Sequence, residues 1–196
     1  DATLRATSEA TTVPLGRQVR AYIEAHIEQG PILEASGCRL GVVTGIQGVR
    51  WFEITVRGSA AHAGTTPLES RQDALMTAAQ LVASIGAMAA SLEDPALRLT
   101  VGRFEAAPGA INTVADRTVF TIDLRHPDEP TLAACERRIR ELVKRGAGAC
   151  SAEIRSLMKH VPTIFAEDVL SIVDSAVNVY GAPSCRLFSV AFHDAM

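Results

Sequence analysis

The sequence lacks paired cysteines, internal repeats and an excess of charge of either sign, and we expect no signal peptide. Its four cysteines stand far apart with no Cys-x-x-Cys pair, which argues against a zinc ribbon and against a secreted disulfide framework. Basic residues (19) nearly balance acidic residues (22) and form no basic stripe, so nucleic-acid binding is not expected. Hydrophobic residues make up 47% of the 196 positions, which is enough for a core. We therefore expect a globular cytoplasmic protein.

One segment, 74–92, carries no charge and is nominally long enough to cross a bilayer. Alanine is its most frequent residue and polar residues interrupt it, so its transfer into lipid is weakly favourable. We predict a helix of a globular domain, with no membrane partner. The sequence begins at Asp1 and ends three residues after a histidine that looks functional. We expect it to be a segment of a longer protein.

Hydrophobic periodicity predicts a unit with the order strand, helix, strand, strand, helix, strand. In the first strand, Phe52, Ile54 and Val56 share one face; in the first helix, Leu75 and Ala79 repeat at helical spacing beside a second apolar stripe. This order is typical of an α+β, ferredoxin-like sandwich, in which two helices cover one face of a four-stranded antiparallel sheet. We place it at 47–159. The predicted strands are 51–57, 98–105, 118–125 and 150–158, and the helices are 70–85 and 132–143.

The flanks, 1–46 and 160–196, are predicted to form a second, incomplete α/β unit into which the sandwich is inserted. Residues up to about Pro14 show no period and are expected to be loop. Partial alternation predicts a strand over 19–27, and another apolar strand is predicted over 40–46. A short helix follows Pro31 and closes at Gly37, and an amphipathic helix over 169–180 closes at Gly181.

Two histidines in the flanks, His26 and His193, are candidate metal ligands. Each has an acidic residue close by, and His26 precedes a Gly-Pro break, where α/β enzymes often gather ligands. If the flanks share one unit, the two imidazoles could meet and begin a zinc or manganese site. Two ligands are too few for a catalytic metal, so the site is either absent or completed by other sequence. The alternative for His26 is a half-exposed strand histidine.

Three further residues lie within the predicted sandwich. His62 stands in S-A-A-H-A-G-T-T-P, where small neighbours allow close approach of a ligand; a plain loop with an exposed imidazole is the alternative. Arg125 ends a strand and could bind a substrate carboxylate through two parallel hydrogen bonds, or simply pair with Asp123. Asn112 follows a Pro-Gly turn and could bind the same anion or cap the turn.

Taken together, these strings resemble the hydantoinase/carbamoylase amidases, a branch of the M20 metallopeptidase-like amidohydrolases. This branch contains N-carbamoyl-L-amino acid hydrolases, allantoate amidohydrolases and β-ureidopropionases. The resemblance covers nearly the whole chain from about Tyr22 onward. The matching strings are E-A-H-I-E-Q-G-P-I-L-E (24–34), G-S-A-A-H-A-G-T-T-P-L-x-x-R-x-D-A (58–74), P-G-A-I-N (108–112), D-L-R (123–125) and S-x-A-x-H-D-A (189–195).

The resemblance implies a catalytic domain that holds two divalent metal ions, zinc or manganese, and an inserted lid through which the enzyme forms a homodimer. His26 and His193 would be metal ligands, and Gln29 would touch the substrate. The reaction would be hydrolysis of a linear amide or ureido C–N bond in a small substrate with a carboxylate.

In the lid, the resemblance implies that His62 polarises the scissile carbonyl and reaches into the partner subunit's site. Asn112 and Arg125 would bind the substrate carboxylate. The family's first metal histidine, bridging aspartate and Glu-Glu pair lie upstream of H-I-E-Q-G and are not present in this sequence. We therefore expect this chain alone to lack a complete two-metal site and to be inactive.

A second departure is that Val190 and Phe192 stand where the family's terminal motif has glycines, which puts the geometry of that loop in doubt. A non-catalytic ferredoxin-like module for dimerisation or ligand binding is one alternative. An M20 dipeptidase or aminoacylase is another, disfavoured because we expect that branch to have an acidic ligand at the position of His26.

Overall fold

The structure, a computed structural model, describes residues 18–191 together with 193 and 194. The predicted N-terminal loop up to residue 14 lies outside the described residues, as does Phe192. Helices and strands follow one another in this order: α1 (Ile32–Ser36), β1 (Leu40–Ile46), β2 (Gly48–Arg57), β3 (Ala61–His62), a 3-10 turn (Leu68–Ser70), α2 (Ala74–Ala90), β4 (Arg98–Thr100), β5 (Phe104–Ala107), β6 (Thr113–Val114), β7 (Arg117–His126), α3 (Glu129–Gly146), β8 (Ser151–His160), β9 (Thr163–Ile164), α4 (Glu167–Tyr180) and β10 (Ser184–Ser189).

A large antiparallel sheet contains β2 at its centre. β2 pairs with β7 on one side and with β8 on the other, and the short strands β4 and β5 follow one another along the outer edge of β7. Helices α2 and α3 pack against one face of this sheet and against each other. The architecture mixes helices and sheets, as the α+β prediction requires.

The core of the large sheet is built from the residues that the alternation singles out. Phe52, Ile54 and Val56 of β2 are fully buried, because their side chains face the two helices while the intervening residues face the other way. β7 contributes Phe120, Ile122 and Leu124 in the same manner. The helices complete the core with Ala74, Ala78, Leu81, Ile85 and Met88 from α2 and Leu132, Cys135, Ile139 and Val143 from α3.

Each long helix of this unit begins at an aspartate cap. The Asp73 carboxylate accepts hydrogen bonds from the backbone N–H groups of Leu75 and Met76 at 3.0 Å. At α3, Asp128 accepts a hydrogen bond from the Thr131 N–H at 2.9 Å. Such caps satisfy N–H groups that have no partner within the helix, and each stabilises the fold by about 1 kcal/mol.

The flanking segments form a small three-stranded sheet. β1 lies between β10, which runs parallel to it, and β9, which runs antiparallel. The predicted strand over 40–46 and the predicted helices α1 and α4 are therefore confirmed, and both helices end at a glycine in the left-handed conformation. Leu170 is the one buried residue of α4, while Val179 remains 90% exposed.

The predicted strand over 19–27 is wrong. The structure assigns these residues no strand, and no strand among the described residues pairs with them. Val19, Ile23 and Ile27, which would form the apolar face of that strand, are 72%, 62% and 75% exposed. Alternation produces a strand only where a neighbouring strand supplies hydrogen bonds and a core covers the apolar face. The described part of the chain supplies neither here.

Within the same described part, no helix combines the length and the apolar content that a bilayer crossing would demand.

Candidate functional site

His26 and His193 lie side by side, although they come from opposite flanks of the large sheet. Their ring centroids are 5.5 Å apart. Both rings line one space beside β1 and the end of β10, two strands that pair in parallel. Nδ1 of His26 lies 2.7 Å from the carbonyl oxygen of Ile27. In a neutral ring, this Nδ1 must carry the proton and donate it, which leaves Nε2 as an acceptor. A metal-binding imidazole has this arrangement.

Glu24 contacts the second imidazole. Its Oε1 lies 3.4 Å from Nδ1 of His193, whose side chain is only 7% exposed. Both atoms are buried, and neither has a hydrogen-bond partner among the residues that the structure describes. Buried polar atoms without partners are costly, and a bound cation is one way of satisfying such a pair.

These side chains fit part of a metal site but do not complete it. Across residues 18–191, 193 and 194, no group of three or more histidine, cysteine, aspartate or glutamate side chains could hold a metal ion. Two imidazoles with an acidic neighbour are the donors that zinc and manganese accept, but a catalytic zinc requires three protein ligands. The ligands that the site lacks would have to come from outside the described residues.

Glu28 orders the loop that follows His26. Its two carboxylate oxygens accept hydrogen bonds from the N–H groups of Ile32 and Leu33, at 2.6 and 2.9 Å, and so satisfy the start of α1. Gln29, the predicted substrate contact, is exposed and has a left-handed φ of 55°. Glu28, the acidic residue in H-I-E-Q-G, is therefore a structural part of the loop.

Arg125 lies at the end of β7 nearest to the segment that carries His193. Its Nε and Nη2 donate to the two carboxylate oxygens of Asp123 at 2.8 and 2.7 Å, and its Nη1 donates to the Val190 carbonyl at 3.1 Å. The hydrogen bonds to Asp123 raise the pKa of the guanidinium, which stays positively charged. The salt bridge that the sequence allowed is formed, and it aims the guanidinium toward the segment preceding His193.

A small cavity of about 70 Å³ lies between α1, β1 and the end of β10. His26 and His193 line it together with Val190. The two imidazoles and the segment bound by Arg125 thus border one space.

His62 and Asn112 form a second group. β3 pairs with β6 in a short antiparallel ladder that sets His62 opposite Thr113, and the Ala63 N–H donates to the Asn112 carbonyl at 2.9 Å. Both predicted site residues are exposed. Nδ1 of His62 accepts the Gly64 N–H at 3.2 Å, so the neutral ring carries its proton on Nε2, where it can be donated to a ligand oxygen.

Arg71 holds the loop that follows His62. Its Nη2 donates to the Ala63 carbonyl at 2.6 Å and its Nε donates to the Thr66 carbonyl at 3.0 Å. Arg71 is not among the site residues predicted from the sequence. The sequence did contain a signal for this role, because Arg71 lies nine residues after His62 at the end of a loop rich in small residues. The backbone carbonyl groups of such a loop lack partners and can accept hydrogen bonds from a guanidinium.

The two groups lie at opposite ends of β7. The ladder of His62 and Asn112 joins the Arg117 end, where the Gly58 N–H donates to Asp116, whereas Arg125 lies at the other end. Eight residue steps of a strand separate Arg117 from Arg125, which corresponds to about 26 Å. Within one chain, the structure brings His26 and His193 together and places Arg125 against the segment that leads to His193. His62 and Asn112 are set apart from all three.

Comparison with known proteins identifies the family. Residues 44–149 match the M20 peptidase dimerisation domain, and this range is more than half of the chain. The chain therefore belongs to the M20 peptidase dimerisation-domain family. The matched range includes most of the large sheet and both of its helices.

Curated relatives carry the names that the resemblance implies. Over 180 residues, the chain is 38% identical to an N-carbamoyl-L-amino-acid amidohydrolase of Paenarthrobacter aurescens, covering 91% of this chain and 43% of the relative. It is 40% identical over 116 residues to an allantoate amidohydrolase of Escherichia coli K12, covering 59% of this chain and 28% of the relative. The chain thus spans less than half the length of these relatives.

Solved structures of the same family of amidases have a similar fold. A hydantoinase/carbamoylase family amidase from Burkholderia vietnamiensis superposes with a TM-score of 0.86 at 38% identity, over 92% of this chain and 44% of that one. The resemblance to this family of amidases is confirmed.

Proposed function

We propose that this chain is part of a divalent-metal-dependent amidohydrolase that cleaves a ureido C–N bond in N-carbamoyl-L-amino acids, with allantoate as the alternative substrate. Residues 47–159 would form a ferredoxin-like lid and dimerisation domain, and the flanks 1–46 and 160–196 would belong to the catalytic domain. The observation that carries the proposal is the contact between the imidazoles of His26 and His193. Two residues so distant in sequence meet only because the flanks form one sheet.

His26 and His193 would supply two of the ligands of a two-metal centre. The ions, zinc or manganese, would provide a hydroxide at neutral pH when bound. Glu24 would orient His193 through its Nδ1, and the Ile27 carbonyl would fix the tautomer of His26. Such neighbours set the direction in which an imidazole presents its lone pair.

Arg125 would bind the carboxylate of the substrate and so position the reacting carbon. Because Asp123 holds one edge of the guanidinium, the orientation is set before substrate arrives and less entropy is lost on binding. Gln29 would contact the substrate from the loop after His26. His62 would donate from Nε2 to the oxygen that becomes negatively charged during attack.

A second copy of the chain would supply His62 and Asn112 to this site. Within one chain, the length of β7 separates His62 and Asn112 from Arg125. Residues from both ends of β7 can therefore contact one substrate only if the lids of two subunits form one dimer. The dimerisation-domain match supports a homodimer for this reason.

A non-catalytic dimerisation module is the second candidate. It is favoured by the incomplete ligand set of the described residues. Metal binding and turnover separate the two candidates.

The first experiment titrates the longest natural form of the protein with zinc and with manganese and compares it with its H26A and H193A variants. H160A is a matched control, because Nδ1 of His160 lies 2.8 Å from the carbonyl of the next residue, as in His26. We expect both site variants to weaken zinc binding at least tenfold and the control to bind as the unmodified chain does. Equal affinity in all four proteins would contradict the assignment.

The second experiment measures turnover by the longest natural form of the protein, supplied with either metal. N-carbamoyl-L-amino acids, allantoate and dipeptides are compared at equal concentration. Release of product from a ureido substrate supports the proposal. Turnover of dipeptides alone would place the protein with the peptidases, and turnover of none would favour the non-catalytic module.

A further inference from the structure

Two of the four cysteines meet at the start of the small sheet. Cys38 follows Gly37, the residue that closes α1, and its N–H donates to the Leu33 carbonyl at 2.9 Å. Cys185 is the second residue of β10 and lies opposite Gly41 of β1 in the parallel pairing. The next two N–H groups after Cys38 both donate to the Pro183 carbonyl, which fixes the start of β1 against the start of β10.

The two thiols face the same space. The side chains of Cys38 and Cys185 interact, and this interaction, followed by burial, raises the pKa of Cys185. A Cβ at Gly41 would lie 2.4 Å from Cδ2 of Leu187, two residues after Cys185, so β1 and β10 pack closely at this point. Both cysteines are half-buried, so a small oxidant can reach them, whereas Cys135 is almost fully buried.

We propose that Cys38 and Cys185 form a reversible disulfide when the protein meets a peroxide or a low-molecular-weight disulfide. With hydrogen peroxide, one thiolate attacks an oxygen and becomes a sulfenic acid, releasing the first water. The second thiol then attacks that sulfur, the S–S bond forms and the second water leaves. Two thiols are oxidised by two electrons and one peroxide is reduced, and a reducing thiol restores the original state.

The bond would join the two flanks of the large sheet covalently. Cys38 lies shortly after the loop of His26, and Cys185 lies in the strand that leads to His193. Oxidation would therefore fix the segments that carry the two histidines relative to one another. This inference does not depend on the proposed function, because it needs only the contact between the thiols.

Peptide mapping tests it directly. The chain is treated with hydrogen peroxide, the remaining thiols are blocked, and the protein is digested with trypsin. We expect a linked pair of the peptides 21–39 and 160–186, each of which contains one cysteine. The link should disappear after reduction and in C38S and C185S. It should persist in C150S, the control for general thiol oxidation.

Thermal unfolding is the second measurement. The disulfide would close a loop over most of the chain, and long loops give large stabilisation because the unfolded chain loses entropy. Oxidation should therefore raise the thermal unfolding midpoint by on the order of 10 °C in the unmodified chain and in C150S. It should not raise the midpoint in C38S or C185S. A link between any other pair of cysteines, a link only between separate chains, or two free thiols after peroxide treatment would overturn the proposal.

Discussion

Replacement of Arg50 by methionine should destabilise the large sheet more than any surface ion-pair change. The Arg50 side chain is fully buried at one end of β2, and its Nη1 donates to the carbonyls of Val49 and His160 at 3.0 and 2.8 Å. These carbonyls lie where the chain enters and leaves the large sheet. The guanidinium also pairs with the carboxylates of Glu129 and Glu136 on α3.

The expected magnitude follows from the exposure of the partners. Removing one member of a fully buried ion pair costs about 3–5 kcal/mol, because the other charge remains buried. The side chains of Glu129 and Glu136 are 36% and 20% exposed, so water can partly solvate them once Arg50 is gone. We therefore expect a loss of about 2–4 kcal/mol in the free energy of unfolding, or about 5–15 °C in Tm for a protein of this size.

Urea unfolding followed by tryptophan fluorescence measures this loss. Trp51, the only tryptophan, is adjacent to Arg50 on β2 and is 37% exposed, so its emission reports on the large sheet. R103M is the matched control, because Arg103 pairs with Glu53 at 2.5 Å on the surface and such pairs contribute less than about 1 kcal/mol. R50K should fall between them, since lysine keeps the charge but cannot reach both carbonyls and both carboxylates. If R50M lost no more stability than R103M, the reasoning about buried charge would be refuted.

Two further predictions concern substrate binding and pH. In the longest natural form of the protein, R125A should raise the KM for a carboxylate substrate by about 10- to 100-fold, because a charge-assisted bidentate contact is lost. The control R117A, at the other end of β7, should leave KM unchanged. Equal KM values in the two variants would mean that Arg125 is only a structural partner of Asp123. The N–H of Ala96 lowers the pKa of Asp94, and the hydroxyl of Thr131 lowers the pKa of Asp128. The ionised forms of both carboxyls therefore stabilise the folded state. This contribution is fully present above the ordinary pKa of 3.8 and is lost as the pH falls through the lower pKa values of the folded state. Acid unfolding followed by circular dichroism should show this loss, and D128N, which keeps a capping side chain but does not titrate, should lose less stability with acid than the unmodified chain does.

The large sheet could be predicted from the sequence because its signals are local. Alternation along β2 and β7 identifies the buried residues, and both neighbours of each strand lie within the described chain. The helices were also found, but the face of α2 was ambiguous: Ala74 and Ala78 are buried, whereas Leu75 is 39% exposed. The stripe that begins at Ala74 and the stripe that begins at Leu75 have the same helical period. Only the packing of α2 against the sheet decides which of the two is buried.

The short strands and the failed strand show what periodicity cannot supply. β3, β6 and β9 contain two residues each, which is too few for any period. The sequence analysis also lacks β10, in which Cys185 and Leu187 are half-buried while Ser184 and Arg186 are exposed. The candidate residues were all visible as motifs, but their grouping depends on pairing between distant segments. Glu24 was on the same predicted face as His26, yet its contact with His193 follows only from the pairing of β1 with β10.

The arrangement along β7 also limits how the proposed activity can arise. A strand in the middle of an antiparallel sheet is held by ladders on both sides, so β7 cannot shorten to bring its ends together. Rotation of the large sheet about the crossings near Gly48 and His160 would move both ends of β7 as one body and keep His62 as far from Arg125 as before. If His62 and Arg125 act on one substrate, they must belong to different subunits. Catalysis would then depend on the subunit interface as directly as on the metal ligands, and a monomeric form would lack His62 and Asn112 at its site even with every metal bound.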